Sequence, residues 1–151
     1  WIPIETGEVQ VMSAGLGVQH SEMNNSLTDP INLFQIWIIP NKLQVEPRYD
    51  QKKFEASERK NKLQVLVSSI DEITNGSLKI HQDAQISRIN LSANTSFEYT
   101  LKSSNHGVYV MQVSGTSKIE TTKLKARDAV EISEIKDFEL KTCPLANTFL
   151  V

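Results

Sequence analysis

Cysteine is almost absent from the sequence: Cys143 is the only one among 151 residues. A disulfide within the chain is therefore excluded, and a reducing, cytoplasmic location is predicted. The sequence places no histidine near Cys143, which favours a buried, inert thiol over a catalytic nucleophile. Long apolar runs are also lacking, since none approaches the roughly 20 residues that a membrane-spanning helix needs.

An excess of charge of one sign is lacking too. The 16 Lys and Arg residues and 18 Asp and Glu residues give a net charge of −2. The basic clusters at residues 52–53 and 59–62 are flanked by acidic residues, so direct binding of nucleic acid is not expected. The composition, 39% hydrophobic and 23% charged, is typical of a globular chain that forms one ordinary domain or two small ones.

The carboxyl-terminal part of the sequence lacks helical periodicity. Short apolar stretches alternate there with turn residues, which predicts an all-β sandwich or barrel rather than a parallel α/β sheet. Asn75-Gly76, with Ile73 before it and Leu78 after it, is the strongest local signal for a β-hairpin. Strands are predicted at residues 63–67, 79–91, 96–102, 107–113, 117–121, 129–133, 137–142 and 147–151.

The amino-terminal part is less regular. Residues 1–12 largely alternate apolar and polar side chains and predict a strand. Residues 31–40 (INLFQIWIIP) form the most apolar run, and their isoleucine and aromatic content predicts a central strand buried on both faces. Residues 41–62 show no sustained period, which predicts an extended linker with a short helix over residues 55–61.

One pair of metal-ligand side chains stands at usable spacing. His20 and Glu22 follow a bend that contains Gly15 and Gly17. In an extended strand, residues two apart project from the same face, so this imidazole and carboxylate would share one side. Such a pair suits zinc, manganese or non-haem iron, and these residues alone do not choose between them. Two side chains do not complete a site.

Four runs of the sequence, GEVQVMSAGLGVQHSEMN, LFQIWIIP, EPRYDQKKF and GSLKIHQD, closely resemble bacterial pirin-like proteins of the cupin superfamily. That group includes quercetin 2,3-dioxygenases. The resemblance implies an all-β fold with a carboxyl-terminal cupin barrel (a double-stranded β-helix or jelly roll) and an incomplete amino-terminal cupin. It divides the chain into a remnant of a metal-binding domain (residues 1–49), a linker (50–62) and a metal-free cupin domain (63–151).

Gly7, Gly17, His20 and Asn24 are similar to the second of the two motifs that cupins carry. The resemblance therefore implies that His20 and Glu22 are two of the four protein ligands of a pirin metal site, normally for Fe(II). It also makes Glu22 the candidate general base toward a flavonol hydroxyl group. The other two ligands, from a His-X-His, are expected before Gly7, but only six residues precede it.

The first residue is Trp1 rather than Met, which, with the missing His-X-His, favours a fragment of a longer protein. The resemblance implies a relative of Fe(II)-dependent quercetin 2,3-dioxygenases with little activity in this form, holding a divalent transition metal weakly or not at all. The alternative is a regulatory pirin that binds a protein partner. An incomplete barrel would expose strand edges and residues 31–39, so self-association is predicted.

The remaining histidines have simpler interpretations. His81 and Asp83 repeat the histidine–X–acid spacing, but a hydrogen-bonded strand histidine is favoured over a metal ligand. His106 stands next to a glycine at a predicted turn and is expected to be exposed.

Overall fold

The structure is a computed structural model that describes residues 1–142 and, for the backbone alone, residues 146–150. The predicted buried thiol at Cys143 and the turn after it lie outside these residues. No helix in the described part of the chain is long and apolar enough to cross a membrane. The strands are β1 (Glu8–Ser13), β2 (Arg48–Lys53), β3 (Gln64–Ser69), β4 (Leu78–Ile80), β5 (Ile86–Leu91), β6 (Ser96–Thr100), β7 (Val108–Ser114), β8 (Thr116–Ile119), β9 (Thr122–Lys125), β10 (Ala129–Ile132), β11 (Asp137–Thr142) and β12 (Ala146–Leu150).

The described strands form three sheets. β1 and β2 pair antiparallel as a two-stranded sheet. A six-stranded sheet has the order β10-β7-β12-β5-β3-β4, and a four-stranded sheet has the order β6-β11-β8-β9. Within the described residues, every strand pairing is antiparallel except that of β3 with β4.

The main core lies between the six-stranded and four-stranded sheets. Alternation along β7 places Val108 and Val110 inside, and alternation along β11 does the same for Phe138 and Leu140. The ring centroids of Phe138 and Tyr99 are 5.4 Å apart, and this pair closes one side of the cluster. Two sheets that enclose one apolar cluster confirm the predicted all-β architecture.

A second apolar cluster joins the two-stranded sheet to the β3–β4 end of the six-stranded sheet. It contains Val11 of β1 and Phe54, which follows β2, together with Leu66 and Leu78. The backbone N–H of Phe54 donates to the carbonyl of Gly7 at 3.2 Å, which extends the β1–β2 pairing. The amino-terminal strands therefore share a core with the carboxyl-terminal ones.

The segment predicted to be a linker contains regular structure. Residues 48–53 form β2, whose side chains are mostly exposed on both faces and so give no apolar alternation. The short helix predicted over residues 55–61 is confirmed as a 3-10 helix, Ala56–Arg59. The domain boundaries themselves stay a prediction.

The prediction of a buried central strand over residues 31–40 is wrong. These residues belong to no strand, and Trp37 is 88% exposed. Ile38 packs against the second apolar cluster, and Gln82 Nε2 donates to the carbonyl of Ile39 at 2.8 Å. An apolar composition indicates that a segment tends to be buried, but it does not specify which part of the protein, or which partner, would bury it.

The hairpin prediction at Asn75-Gly76 is also wrong. Gly76 has a φ of 81°, as a tight turn requires, but Ile73 is fully exposed and lies in no strand. After the turn, β4 runs parallel to β3, with Leu78 opposite Val67. Asn75-Gly76 makes a local turn. The strand after it, β4, pairs with β3 because Leu78 is buried in the second apolar cluster.

Other strand bounds differ from the predictions in smaller ways. The strand predicted over residues 1–12 is confined to β1, and the one predicted over 79–91 is divided into β4 and β5. Strand β9 was not predicted, because only Leu124 of its four side chains is buried.

The bend after β1 packs against the loop that precedes β2. The N–H of Gly17 donates to the carbonyl of Ala14 at 2.7 Å, which closes the turn. Gly15 has a φ of 54°, and a Cβ atom there would lie 1.9 Å from the carbonyl oxygen of Val45. Gly17 also has a positive φ, 134°, but a Cβ atom there would meet nothing within 4 Å. At position 15, glycine is therefore required both by the positive φ and by the close contact with Val45. At position 17, it is favoured by the positive φ alone.

Replacing Leu140 with alanine is expected to destabilise the protein by about 2–5 kcal/mol, because the side chain is fully buried in the main core. Urea unfolding measures the loss. Ile73→Ala removes an apolar side chain that is fully exposed, and this control should change the free energy of unfolding by less than about 0.5 kcal/mol. Equal effects of the two substitutions would contradict the assignment of the core.

Replacing Gly15 with alanine is expected to destabilise the protein more than replacing Gly17. Both substitutions place alanine at a positive φ, which costs about 1–3 kcal/mol. Only Gly15→Ala also forces the backbone at Val45 to move, which adds about 1–3 kcal/mol. Urea unfolding of the two variants compares them directly, and equal losses would refute the tight packing of the bend.

Candidate metal centre

The two predicted metal ligands follow the bend after β1. β1 ends at Ser13, and residues 18–26 belong to no strand. The expectation that His20 and Glu22 alternate along a strand is therefore wrong, because the bend takes the chain away from β2 and its hydrogen bonds. Both side chains are exposed.

Glu22 is held by a short series of hydrogen bonds from the two-stranded sheet. Gln10 of β1 donates from Nε2 to Glu22 Oε1 at 2.8 Å. The Tyr49 hydroxyl of β2 lies 3.3 Å from Gln10 Oε1 and closer still to Gln51 Oε1, and its single proton can be donated to only one of the two oxygens. Gln10 was not predicted from the sequence, because no pattern links it to a residue twelve positions later. The His20 ring makes no hydrogen bond within the described residues.

Asn24 closes the turn that follows the pair. Its Oδ1 accepts the N–H of Ser26 at 3.1 Å, and its Nδ2 donates to the carbonyl of Asp29 at 2.8 Å. Ser26 Oγ accepts the N–H of Asp29 at 2.9 Å. Such side-chain bonds to nearby backbone favour turns. These bonds give the motif asparagine a structural role in the turn.

The donor set of the described residues is incomplete. His20 and Glu22 offer a nitrogen and an oxygen that suit a divalent transition metal. The described chain contains no group of three or more His, Cys, Asp or Glu side chains that could hold a metal ion. Two donors leave most of the coordination shell to water, so these residues by themselves do not fit a complete metal centre.

The other histidines do not join this pair. Asp83 Oδ2 lies 3.2 Å from His106 Nε2, and Ser103 Oγ lies 2.6 Å from His106 Nδ1. His106, expected to be exposed, has a side chain that is only 34% exposed. The ring of His81 lies in the loop between β4 and β5 and has no hydrogen-bond partner among the described residues, so the prediction of a hydrogen-bonded strand histidine is wrong.

Two family descriptions match this chain. Residues 65–150 match the quercetinase C-terminal cupin domain, and residues 2–38 match pirin. The first match spans more than half of the chain, and it contains the main core between the six-stranded and four-stranded sheets.

Curated and solved proteins agree with these matches. A quercetin 2,3-dioxygenase of Escherichia coli K12 is 36% identical over 129 residues, which are 85% of this chain and 53% of that protein. The crystal structure of YhhW from Escherichia coli has a TM-score of 0.89 and 31% identity, and it covers 97% of this chain and 60% of its own. YhhW in complex with nickel(II) has a TM-score of 0.86 and 30% identity, covering 95% of this chain and 60% of its own.

The chain spans about half the length of the curated relatives that it matches. The matches cover the bend with His20 and Glu22 as well as the carboxyl-terminal sheets. The chain therefore belongs to the pirin family of the cupin superfamily and is related to the quercetin 2,3-dioxygenases.

Proposed function

We propose that this chain contributes His20 and Glu22 to a divalent-metal site of the quercetin 2,3-dioxygenase type. The observation that carries the proposal is the exposed pair after the bend, with Glu22 held by Gln10 at 2.8 Å. The nickel(II) complex of YhhW supports a divalent metal, and the name of the Escherichia coli relative supports a flavonol substrate. Fe(II) is the ion that the resemblance to pirins implies.

Each ligand has a stated role in this proposal. His20 provides a neutral imidazole nitrogen and Glu22 a carboxylate oxygen. Gln10 engages one oxygen of Glu22, which leaves the other to bind a cation or to accept the proton of a flavonol hydroxyl group as a general base. The resemblance assigns the remaining donors to a His-X-His outside this pair. We therefore expect little dioxygenase activity from this chain alone.

The domain division belongs to the same proposal. Residues 1–49 are assigned to the metal-binding cupin, residues 63–151 to a metal-free cupin, and residues 50–62 to the connection between them. The match of residues 65–150 to the carboxyl-terminal cupin domain supports the second boundary. A cytoplasmic location also stays a proposal.

The unchanged chain is expected to bind metal weakly, and removing either proposed ligand should abolish this binding. Titration with Ni²⁺, followed by calorimetry, should give weak binding for the unchanged chain and no measurable binding for His20→Ala or Glu22→Ala, because one donor is left. His106→Ala is the matched control and should bind as the unchanged chain does.

Stoichiometric tight metal binding together with normal quercetin turnover by this chain would contradict the proposal. Unchanged Ni²⁺ affinity in His20→Ala would contradict it as well.

A non-enzymatic role is the second candidate, and the exposed apolar run favours it. Ile31, Leu33, Phe34, Ile36, Trp37 and Ile39 are all exposed. A concentration of exposed apolar side chains in one short segment favours protein contacts. A regulatory pirin would use it to bind a transcription factor or a metabolic enzyme. Metal analysis and a flavonol assay on this chain and on a longer relative, side by side, separate the two functions.

The same surface supports self-association. The two-stranded sheet leaves one edge of β1 and one edge of β2 without a strand partner among the described residues. Unpaired edges can pair with another chain, and apolar side chains beside them add area to such a contact. We propose a dimer in which these edges and residues 31–39 meet their copies.

Sedimentation velocity at micromolar concentration should therefore show a dimer. Trp37→Ser should weaken dimerisation by about tenfold or more, because large aromatic side chains dominate interface energies. Ile73→Ser changes an equally exposed apolar side chain outside this surface and should leave dimerisation unchanged. A stable monomer of the unchanged chain would contradict the proposal.

A further inference from the structure

An open surface depression of about 510 Å³, referred to below as the cavity, lies between the loop before β2 and the end of β4. It is lined by Lys42, by residues 44–48 and by His81. Neither His20 nor Glu22 is among these lining residues, so the cavity is separate from the candidate metal centre. Its volume lies in the range of small-molecule sites, about 300–1,000 Å³.

The walls of the cavity are held in place by contacts outside it. Gly15 packs directly against the carbonyl of Val45, with no room for a Cβ atom. The N–H of Asn41 donates to the carbonyl of His81 at 2.8 Å. Arg48 begins β2, and its Nη2 donates to the carbonyl of Lys79 in β4. These three contacts anchor Val45, His81 and Arg48, and less conformational freedom is lost on binding where lining residues are already anchored.

The polar groups that face the cavity are mainly cationic or hydrogen-bond donors. Lys42 and Arg48 have cationic side chains and His81 has a ring N–H, while Glu46 is the one carboxylate among the lining residues. Within the described residues, Lys42 and His81 have no side-chain hydrogen bond, and Arg48 uses only Nη2. Several donors are thus available on a chain whose net charge is −2.

Apolar atoms form the rest of the lining. Val45 and Pro47, in the loop before β2, are the apolar residues of the lining. A bare inorganic ion would leave this part of the cavity unused. A molecule with an apolar body and an anionic group would use both parts.

We propose that this cavity binds a small organic anion through a carboxylate or phosphate group. Arg48 is the anchor, because a guanidinium already fixed at one nitrogen presents its other N–H groups in a rigid fork that matches an oxyanion. His81 donates a second hydrogen bond, Lys42 adds charge at the entrance, and Val45 contacts the apolar body.

Titrations of the full chain with benzoate, acetate and inorganic phosphate, at constant ionic strength in sodium chloride, test this site by ¹H–¹⁵N NMR. Saturable shifts should centre on the amides of residues 42–46, 48 and 81, with benzoate binding more tightly than acetate. Equal binding of benzoate and acetate would overturn the organic-anion assignment. The absence of saturable shifts with every probe would overturn the site itself.

Charge variants of the lining residues sharpen the test. Arg48→Lys should weaken benzoate binding about tenfold, since charged hydrogen bonds are lost while the net charge is kept. Lys42→Gln and His81→Gln should each weaken it about threefold. Glu46→Gln should strengthen it by a similar factor, because it removes the only carboxylate among the lining residues.

Two exposed residues serve as matched controls. Lys123→Gln and Glu131→Gln make the same changes in net charge outside the cavity lining, and neither should alter benzoate binding. If Glu131→Gln and Glu46→Gln changed benzoate binding equally, the net charge of the protein alone would explain the effect, and the proposed site would be refuted. Thermal unfolding of Arg48→Lys checks that its loss of binding is not a loss of fold. His20→Ala and Glu22→Ala should leave benzoate binding unchanged.

Discussion

The backbone of Gly15 lies against the carbonyl of Val45, and a Cβ atom at Gly15 would be 1.9 Å from that oxygen. This contact ties the bend after β1 to the loop before β2, so the two strands of the amino-terminal sheet are joined at their far end as well as by their hydrogen bonds. Two features depend on it. It determines where the chain leaves β1 toward His20 and Glu22, and it anchors Val45, which lines the same cavity as Arg48 and His81.

The sequence predicted the features that follow from local chemistry. Short apolar stretches between turn residues predicted strands at residues 107–113 and 137–142, where β7 and β11 are found. The glycines after β1 predicted the bend because a positive φ is open to them. The donor chemistry of His20 and Glu22 could be read from their residue types, although the strand expected to carry them is not formed.

The features that failed depend on contacts between distant parts of the chain. The apolar run that includes Trp37 has the composition of a buried strand, but it forms no strand and most of its apolar side chains are exposed, while Ile38 packs against the second apolar cluster. Leu78 follows a turn that usually makes hairpins, yet β4 pairs parallel with β3. Glu22 is held by Gln10, and Arg48 shares a cavity with His81. No spacing rule connects these pairs, because tertiary packing brings them together.

The central claim is that His20 and Glu22 are metal donors, although the described chain supplies no third one. Paramagnetic broadening by substoichiometric Mn²⁺ in ¹H–¹⁵N NMR spectra of this chain tests that claim most directly. If His20 and Glu22 bind the metal, we expect broadening to be strongest at the amides of residues 18–24 and to extend to Gln10, which contacts Glu22. Broadening centred on His81 or on His106, or spread evenly over the acidic surface, would contradict it.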